Sequence, residues 1–161
     1  DQYHFNAVAF VDDTFNVSPK RVVELCRGII NRKLDLWWWN LSRIDLLLRN
    51  EEMVKEMVRA GGKAVFIGVE SSNPKTLDEL KKGIDVEEIV QTVEMLKRND
   101  VEMHASYILG GLHDDVKTIH DTIRFAKRLD TNVAQFSILT PCPGTAVYEQ
   151  VKDRIFKWRS P

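Results

Sequence analysis

Cysteine is scarce in this chain, and several features that would define a protein class at once are absent. Of the 161 residues only Cys26 and Cys142 are cysteines, too few for a disulfide framework or a metal-binding knuckle. The chain has no secretory signal and no apolar run of spanning length. No G-x-G-x-x-G follows the first predicted strand, which disfavours Rossmann-type dinucleotide binding. We therefore expect a cytoplasmic protein from a reducing compartment.

Charge of one sign is also lacking. The 23 basic and 24 acidic residues are well mixed and leave a net charge of −1. This balance gives no electrostatic footprint for a nucleic-acid backbone or an anionic membrane, and we expect neither partner. Hydrophobic residues at 43% and charged residues at 29% are ordinary for a globular protein, and the length suits one domain.

The stretch AVFIGVESSNP, from Ala64 to Pro74, is a buried-looking strand that ends by presenting Glu70. A carboxylate at the end of an apolar strand is costly unless its surroundings are polar, so Glu70 predicts a polar site at the mouth of a sheet. Four other apolar runs end in polar or glycine-rich residues in the same way. Their spacing of about 30 to 40 residues is typical of βαβ units, with the working face at the carboxyl ends of parallel strands.

We predict strands at 5–11, 34–41, 63–69, 101–109 and 133–139. The intervening segments predict amphipathic helices with recognisable caps: Ser18 before Pro19, Asn50 before Glu51 and Glu52, Asp85 with Glu88, and a helix carrying Ile119, Ile123, Ala126 and Leu129. Gly61 and Gly62 are predicted to end the second helix as a left-handed cap. Cys26 falls in the apolar stripe of the first helix and is expected to be a core residue.

Three consecutive tryptophans occupy the second strand. Because side chains alternate along a strand, Trp38 is expected to point opposite to Trp37 and Trp39. Bulk on both faces fits a strand with helices on one side and a barrel lumen on the other. Core packing and stacking on a ring-shaped ligand both remain open at this point.

The order of five short motifs along the chain is informative. VDDTF follows the first strand, Arg43-Ile44-Asp45 follows the second, and GVES has Lys82 twelve residues after its glutamate; GGLHDD and PCPGT come later. Together they resemble the radical S-adenosylmethionine superfamily, and more narrowly its subgroup that often carries an upstream cobalamin-binding domain. The resemblance covers nearly the whole chain.

The resemblance implies an α/β fold, a partial (β/α) TIM-like barrel of six parallel strands with outer helices. In that family the loop after the first strand carries C-x-x-x-C-x-x-C, which holds a 4Fe-4S cluster. This motif is absent, so we expect residues 1–161 to be one truncated domain containing strands two to six, inactive in isolation. The first βα unit would be missing.

The implied cofactors are S-adenosylmethionine and, in the parent protein, the 4Fe-4S cluster, with cobalamin as a further cofactor of the subgroup. The parent would cleave S-adenosylmethionine reductively to a 5′-deoxyadenosyl radical, with cobalamin-linked methyl transfer as one outcome. Its partner would be an electron donor such as ferredoxin or flavodoxin. The sequence does not identify the substrate.

The resemblance also places the cofactor-binding residues. Asp12 and Asp13 lie where the family contacts the methionyl amino group, and two carboxylates suit a ligand with ammonium and sulfonium charges. The alternative is a solvated turn before Thr14. Asp12, Asp13 and Glu70 also fit acid-base groups or metal ligands of an ordinary (β/α)-barrel hydrolase or lyase, and a non-catalytic barrel scaffold is a third class.

Arg43 matches an arginine that meets the methionyl carboxylate, or it forms an ion pair with Asp45 or Glu52. Glu70 corresponds to a residue that approaches the methionyl or ribose groups, with Lys82 as its basic partner. For the two to meet, the loop between them must fold back over the same opening. Gly68 would let a flat ligand approach the backbone closely.

The chain departs from the family pattern in two motifs. Where relatives have G-x-P-x-E-T, this chain has His113 for proline, Asp115 for glutamate and Val116 for threonine. His113 is expected to be an exposed loop residue, with a proton relay as the alternative. Cys142 replaces an aromatic residue, and a radical or methyl-carrying role for its thiol has no base or metal partner in the sequence.

Overall fold

Five parallel strands form one sheet in the computed structural model, which describes residues 5–155. The strands are β1 (Ala7–Phe10), β2 (Trp37–Ser42), β3 (Gly62–Glu70), β4 (Glu102–Leu109) and β5 (Val133–Ile138). Their order in the sheet is their order in the chain. In such an order each crossover of the same hand passes over the same face, so the helices cover one side and leave the other concave. The predicted parallel α/β sheet is confirmed.

The helices are α1 (Pro19–Asn31), α2 (Ile44–Leu48), α3 (Glu51–Arg59), α4 (Pro74–Glu79), α5 (Val86–Arg98), α6 (Val116–Leu129) and α7 (Ala146–Val151). Ser18 caps α1 by accepting from the Arg21 amide, and Asp85 and Glu88 form the predicted capping box of α5. Helices α2, α4 and α7 were not predicted, because five or six residues are too few to show a helical stripe. Within residues 5–155, no helix is both long and apolar enough to cross a membrane.

The second strand alternates faces as predicted. Trp38 is fully buried on the helix-covered side, where its Nε1 donates to the Ala60 carbonyl oxygen at 2.9 Å. Trp37 lies on the concave side and is 42% exposed. In β3, likewise, Val65 and Ile67 are buried against the helices. The concave face of the sheet is therefore the face left open for a ligand.

Two of the predicted caps were wrong in detail. Gly61 does have a left-handed φ of +88°, and a Cβ there would lie 1.9 Å from the Leu36 carbonyl oxygen, but Gly62 is the first residue of β3. Asn50 precedes α3 without capping it through its side chain. Its Nδ2 instead donates backwards to the Leu46 carbonyl oxygen at 2.8 Å. This bond uses the side-chain donor of Asn50, whereas a cap would need its Oδ1 to accept from a backbone amide of α3.

The core lies between the sheet and the helices. Cys26 is fully buried within it, as predicted from the apolar stripe of α1. Burial, and secondarily the charge of Glu56, raises the pKa of its thiol to about 11. Because the thiolate is the reactive form, Cys26 is an inert packing residue at neutral pH.

Candidate functional site

A cavity of about 310 Å³ opens at the carboxyl ends of β1, β2 and β3. Four of the five predicted site residues line it: Asp13, Arg43, Glu70 and Lys82. The floor is Gly68 and Phe66 of β3. Asp13 and Lys82, which are 69 positions apart in the sequence, thus lie at the same cavity. This is expected when parallel strands end at one edge of a sheet.

Glu70 and Lys82 form an ion pair directly above Gly68. Lys82 Nζ lies 2.6 Å from Glu70 Oε1, and both side chains are largely shielded from solvent. A Cβ built on Gly68 would lie 2.3 Å from that oxygen and 2.9 Å from the ammonium. The ion pair therefore occupies the space above Gly68, and the close approach of a flat ligand to the backbone there stays a prediction.

The backbone at both ends of the pair is unusual. Glu70 has a left-handed φ of +66°, which interrupts the register between β3 and β4. After α4 the chain turns back through Lys81 and Gly83, at φ +51° and +63°, while the Lys82 amide donates to the Leu77 carbonyl oxygen at 3.1 Å. Left-handed conformations of residues other than glycine are uncommon and often mark functional sites. The predicted fold-back of this loop is confirmed.

Arg43 forms a two-point ion pair with Asp45. Its Nε lies 3.0 Å from Oδ1 of Asp45, and its NH2 group lies 3.2 Å from Oδ2. Burial by itself would raise the pKa of Asp45, but the hydrogen bond and charge of Arg43, together with the Leu46 amide and the charge of Arg49, lower the pKa overall. The other predicted partner, Glu52, pairs with Lys55 instead, at 2.6 Å. Both charges of the Arg43 pair line the cavity.

Asp12 does not line this cavity. Its Oδ1 accepts from the NH2 group of Arg21 at 2.9 Å, in a pair that is about half exposed. Asp13 begins the turn that follows, and its side chain, not that of Asp12, lines the cavity. Asp12 is better described as an anchor between the β1 loop and α1.

The structure adds a residue that sequence reasoning missed. Asn16 is fully buried, in a 3₁₀ turn at Phe15–Val17, and its side chain hydrogen-bonds both backbone groups of Arg43 at 3.0 Å. The only sequence signal was a polar residue between two apolar ones. That pattern also fits a surface turn, so it did not distinguish a buried clamp.

In the loop after β4, the carboxylate of Asp114 is bonded within the protein. Asp114 Oδ2 accepts from the amides of Gly110 and Gly111 at 3.0 and 2.9 Å, and its Oδ1 accepts from the hydroxyls of Thr76 and Thr118. Asp115, the replacement for the family glutamate, is the N-cap of α6 and forms a capping box with Thr118. This departure from the family pattern therefore serves the helix start.

His113 and Cys142 take no part in a site among the described residues. His113 is exposed, as predicted. Cys142 is exposed too, and its Sγ donates to the Thr140 carbonyl oxygen at 3.6 Å. Within residues 5–155, no three His, Cys, Asp or Glu side chains are grouped so that they could hold a metal ion.

A second cavity, of about 430 Å³, lies toward the amino ends of the strands. Trp37, Trp39, Phe66 and His104 line it, and His104 Nε2 lies 3.0 Å from Gln135 Oε1. Phe66 borders both cavities. The aromatic side chains thus form a layer across the concave face beneath the charged cavity.

The family model of the radical SAM superfamily matches residues 2–126, more than three quarters of the chain. This chain belongs to the radical SAM superfamily. The resemblance of its ordered motifs is thereby confirmed, and the alternative of an ordinary barrel hydrolase or lyase has no support.

Two curated relatives are methyltransferases by name. An uncharacterized methyltransferase of Pyrococcus horikoshii is 34% identical over 148 residues, which cover 92% of this chain and 32% of that protein. The bacteriochlorophyllide d C-12(1)-methyltransferase of Chlorobaculum tepidum is 31% identical over 153 residues, covering 93% of this chain and 33% of that protein. The chain thus spans about a third of the length of these relatives.

A solved structure shows the same fold. The radical S-adenosylmethionine methyltransferase TsrM of Kitasatospora setae, determined with cobalamin and a [4Fe-4S] cluster, superposes with a TM-score of 0.82 at 18% identity, over 95% of this chain and 31% of that chain. This likeness confirms the predicted partial-barrel architecture.

Proposed function

We propose that this chain is part of the catalytic domain of an enzyme that binds S-adenosylmethionine at the Arg43, Glu70 and Lys82 cavity and cleaves it reductively. One observation carries the proposal: in a radical SAM superfamily domain, four charged residues expected to contact this cofactor line one cavity. We propose a cytoplasmic location for the protein.

The cavity suits the methionyl end of S-adenosylmethionine, which carries an ammonium, a sulfonium and a carboxylate. Arg43 presents a planar guanidinium for the carboxylate, and Asp13 and Glu70 supply negative charge for the two cations. Leu41 and Phe66 provide apolar surface for the carbon chain. The volume of about 310 Å³ is at the lower end of small-molecule sites, enough for part of the cofactor.

The residues of this chain do not fit an iron-sulfur cluster. A cluster of this kind needs three thiolates close together. Cys26 is buried in α1, Cys142 is exposed after β5, and the sequence has no other cysteine. The ligands would come from residues outside this chain, and the electron from a donor such as ferredoxin or flavodoxin.

Each cavity residue has a defined task in the proposed site. Arg43 and Asp13 orient the amino-acid end, and the Glu70–Lys82 pair offers both signs of charge beside it. Phe66 and its aromatic neighbours give the concave face an apolar surface. S-adenosylmethionine, when bound and reduced, supplies a 5′-deoxyadenosyl radical.

We propose methyl transfer as the reaction class, because both of the relatives described above, each at least 31% identical to this chain, are named methyltransferases. Cobalamin as a second cofactor is supported by the solved relative that contains it. Nothing in the cavity of this chain selects a particular methyl acceptor.

The test uses the protein expressed from its complete reading frame, reconstituted anaerobically with iron and sulfide. With S-adenosylmethionine and dithionite, we expect 5′-deoxyadenosine, and with a methyl acceptor also S-adenosylhomocysteine, both separated by liquid chromatography. Absence of both products in a protein that holds its cluster would contradict the proposal. Residues 1–161 alone should gain no cluster absorbance in the same reconstitution.

A further inference from the structure

Asn16 is a buried polar residue that no helix or strand requires. It is fully buried, yet its side chain accepts from the Arg43 amide and donates to the Arg43 carbonyl oxygen, both at 3.0 Å. Its partner lies 27 residues away in the sequence. Two bonds to one residue fix both the position and the direction of the peptide units on either side of that residue.

The two segments that Asn16 joins are walls of the same cavity. Asp13 and Thr14 precede it on one wall, while Ser42, Arg43 and Asp45 form the other. Phe15 holds the first wall in place, since its ring is fully buried and packs against Trp38. The turn at Phe15–Val17 is therefore anchored in the core by Phe15 and reaches Arg43 through Asn16.

Arg43 lies at the junction between β2 and α2, where it follows the last strand residue and precedes the first helical one. The sheet pairing of β2 with β3 ends at Ser42. The Arg43 amide is therefore beyond the ladder, and the side chain of Asn16 supplies its partner. The direction of the Arg43 side chain into the cavity then depends on this clamp.

We propose that Asn16 is a positioning residue for S-adenosylmethionine binding, acting through Arg43. The proposal depends on the proposed function, in which Arg43 meets the carboxylate of the cofactor. Asn16 makes no contact with the cofactor in this scheme. It sets the backbone from which the guanidinium reaches the cavity, and a displacement of about 1 Å there is costly for an oriented ion pair.

The experiment is a double-mutant cycle on the full-length protein with its cluster, measuring S-adenosylmethionine affinity by anaerobic titration calorimetry and stability by thermal melting. The variants are Asn16→Ala, Arg43→Gln and the two combined. We expect each single change to weaken binding about tenfold, which is the effect of one lost net hydrogen bond. The combined variant should bind no more weakly than Arg43→Gln, because Asn16 acts only through that residue.

Thr92→Val is the matched control. Thr92 is fully buried in α5, away from the cavity lining, and its hydroxyl donates to the Glu88 carbonyl oxygen at 2.7 Å. This change should leave the affinity unaltered whatever its effect on the melting temperature, because Thr92 is not part of the cavity lining. If Asn16→Ala does not fold, Asn16→Ser replaces it in the same cycle. The serine hydroxyl can still form a hydrogen bond, so this variant should lose less stability.

The outcomes separate the two proposals. Loss of affinity in Arg43→Gln combined with wild-type affinity in the folded Asn16 variant would overturn the positioning role alone. Additive losses in the double variant would do so too. Unchanged affinity in Arg43→Gln would remove the arginine from the site and overturn both its role in the proposed function and the role of Asn16.

Discussion

Two carboxylates at the carboxyl ends of neighbouring strands differ in how fully they are bonded. Asp114, after β4, accepts hydrogen bonds from two backbone amides and two hydroxyls within the protein. Glu70, at the end of β3, has the ammonium of Lys82 as its partner and lies at the cavity. A carboxylate oxygen pair offers about four acceptor sites, so Asp114 is close to saturated and Glu70 is not.

The difference shows what distinguishes a structural strand-end carboxylate from a candidate binding group. Asp114 closes the Gly110-Gly111 turn onto α4 and α6, and it has little capacity left for a ligand. Glu70 pairs with a long, flexible cation that can move when a ligand arrives. Both carboxylates lie at the mouth of the sheet, but only Glu70 has acceptor sites left for a ligand.

The largest expected effect is on folding, from Asp114→Ala. The variant leaves the amides of Gly110 and Gly111 without their acceptor, and we expect the free energy of unfolding to fall by roughly 2 to 3 kcal/mol. Urea denaturation measures this. Asp114→Asn is the control and should cost roughly 1 kcal/mol or less, because one amide oxygen can still serve both glycine amides. Equal losses for the two variants would contradict a stabilising role for the hydrogen bonds from Asp114 to the two glycine amides.

The second prediction is that a change at Glu70, unlike one at Asp114, affects ligand affinity more than stability. Glu70→Gln should weaken S-adenosylmethionine binding by roughly 1 to 3 kcal/mol through loss of a charge-assisted bond, with the melting temperature nearly unchanged. Calorimetric titration of the full-length protein beside a melting curve measures both quantities. A clearly lower melting temperature with intact affinity would make Glu70 a structural residue like Asp114.

The third prediction concerns Gly68, which lies under the ion pair. In Gly68→Ala the new Cβ would overlap Glu70 Oε1 and Lys82 Nζ, whose side chains can swing away at little cost to folding. We expect the melting temperature to change little and S-adenosylmethionine affinity to fall by about fivefold, or roughly 1 kcal/mol. Gly83→Ala serves as a control, since a Cβ there meets no atom within 4 Å but must adopt a left-handed φ. It should lower stability with less effect on affinity.

The smallest effect is expected from the acid sensitivity of the Arg43–Asp45 pair. The pKa of Asp45 in the folded protein lies below its ordinary value of 3.8, so the stability it contributes is present above that value and is lost as the pH falls through the folded pKa. Melting temperatures between about pH 6 and pH 3 should therefore fall less steeply in Asp45→Asn than in the wild type. Parallel curves would mean that the pair does not contribute.

Much of the fold could be predicted because strong local signals agreed with it. Strand alternation located Trp38 on the buried side, and the capping box at Asp85 fixed the start of α5. Boundaries moved by a few residues, and Gly62 changed element, because helix end and strand start compete for the same short segment. The short helices contain too few residues to show a helical period in the sequence.

The site was less accessible from the sequence. The pairing of Glu70 with Lys82 was anticipated from motif order, and four of the predicted residues line one cavity, while their contact with a cofactor stays a prediction. Two features could be seen only in the structure: Asp12 pairs with Arg21, and the side chain of Asn16 points into the protein. Both depend on side-chain direction in an irregular segment, where neither the strand period nor the helix period applies.

The sequential strand order also shapes how the molecule is made. Each strand pairs with the next one along the chain, so the partner of β1 emerges from the ribosome after only α1 and a short connection. Contacts between successive βα units keep the sequence separation of the pairings low compared with a sheet whose strand order is shuffled. The sheet can therefore grow one unit at a time during synthesis, and the cavity is completed when the loop carrying Lys82 follows β3.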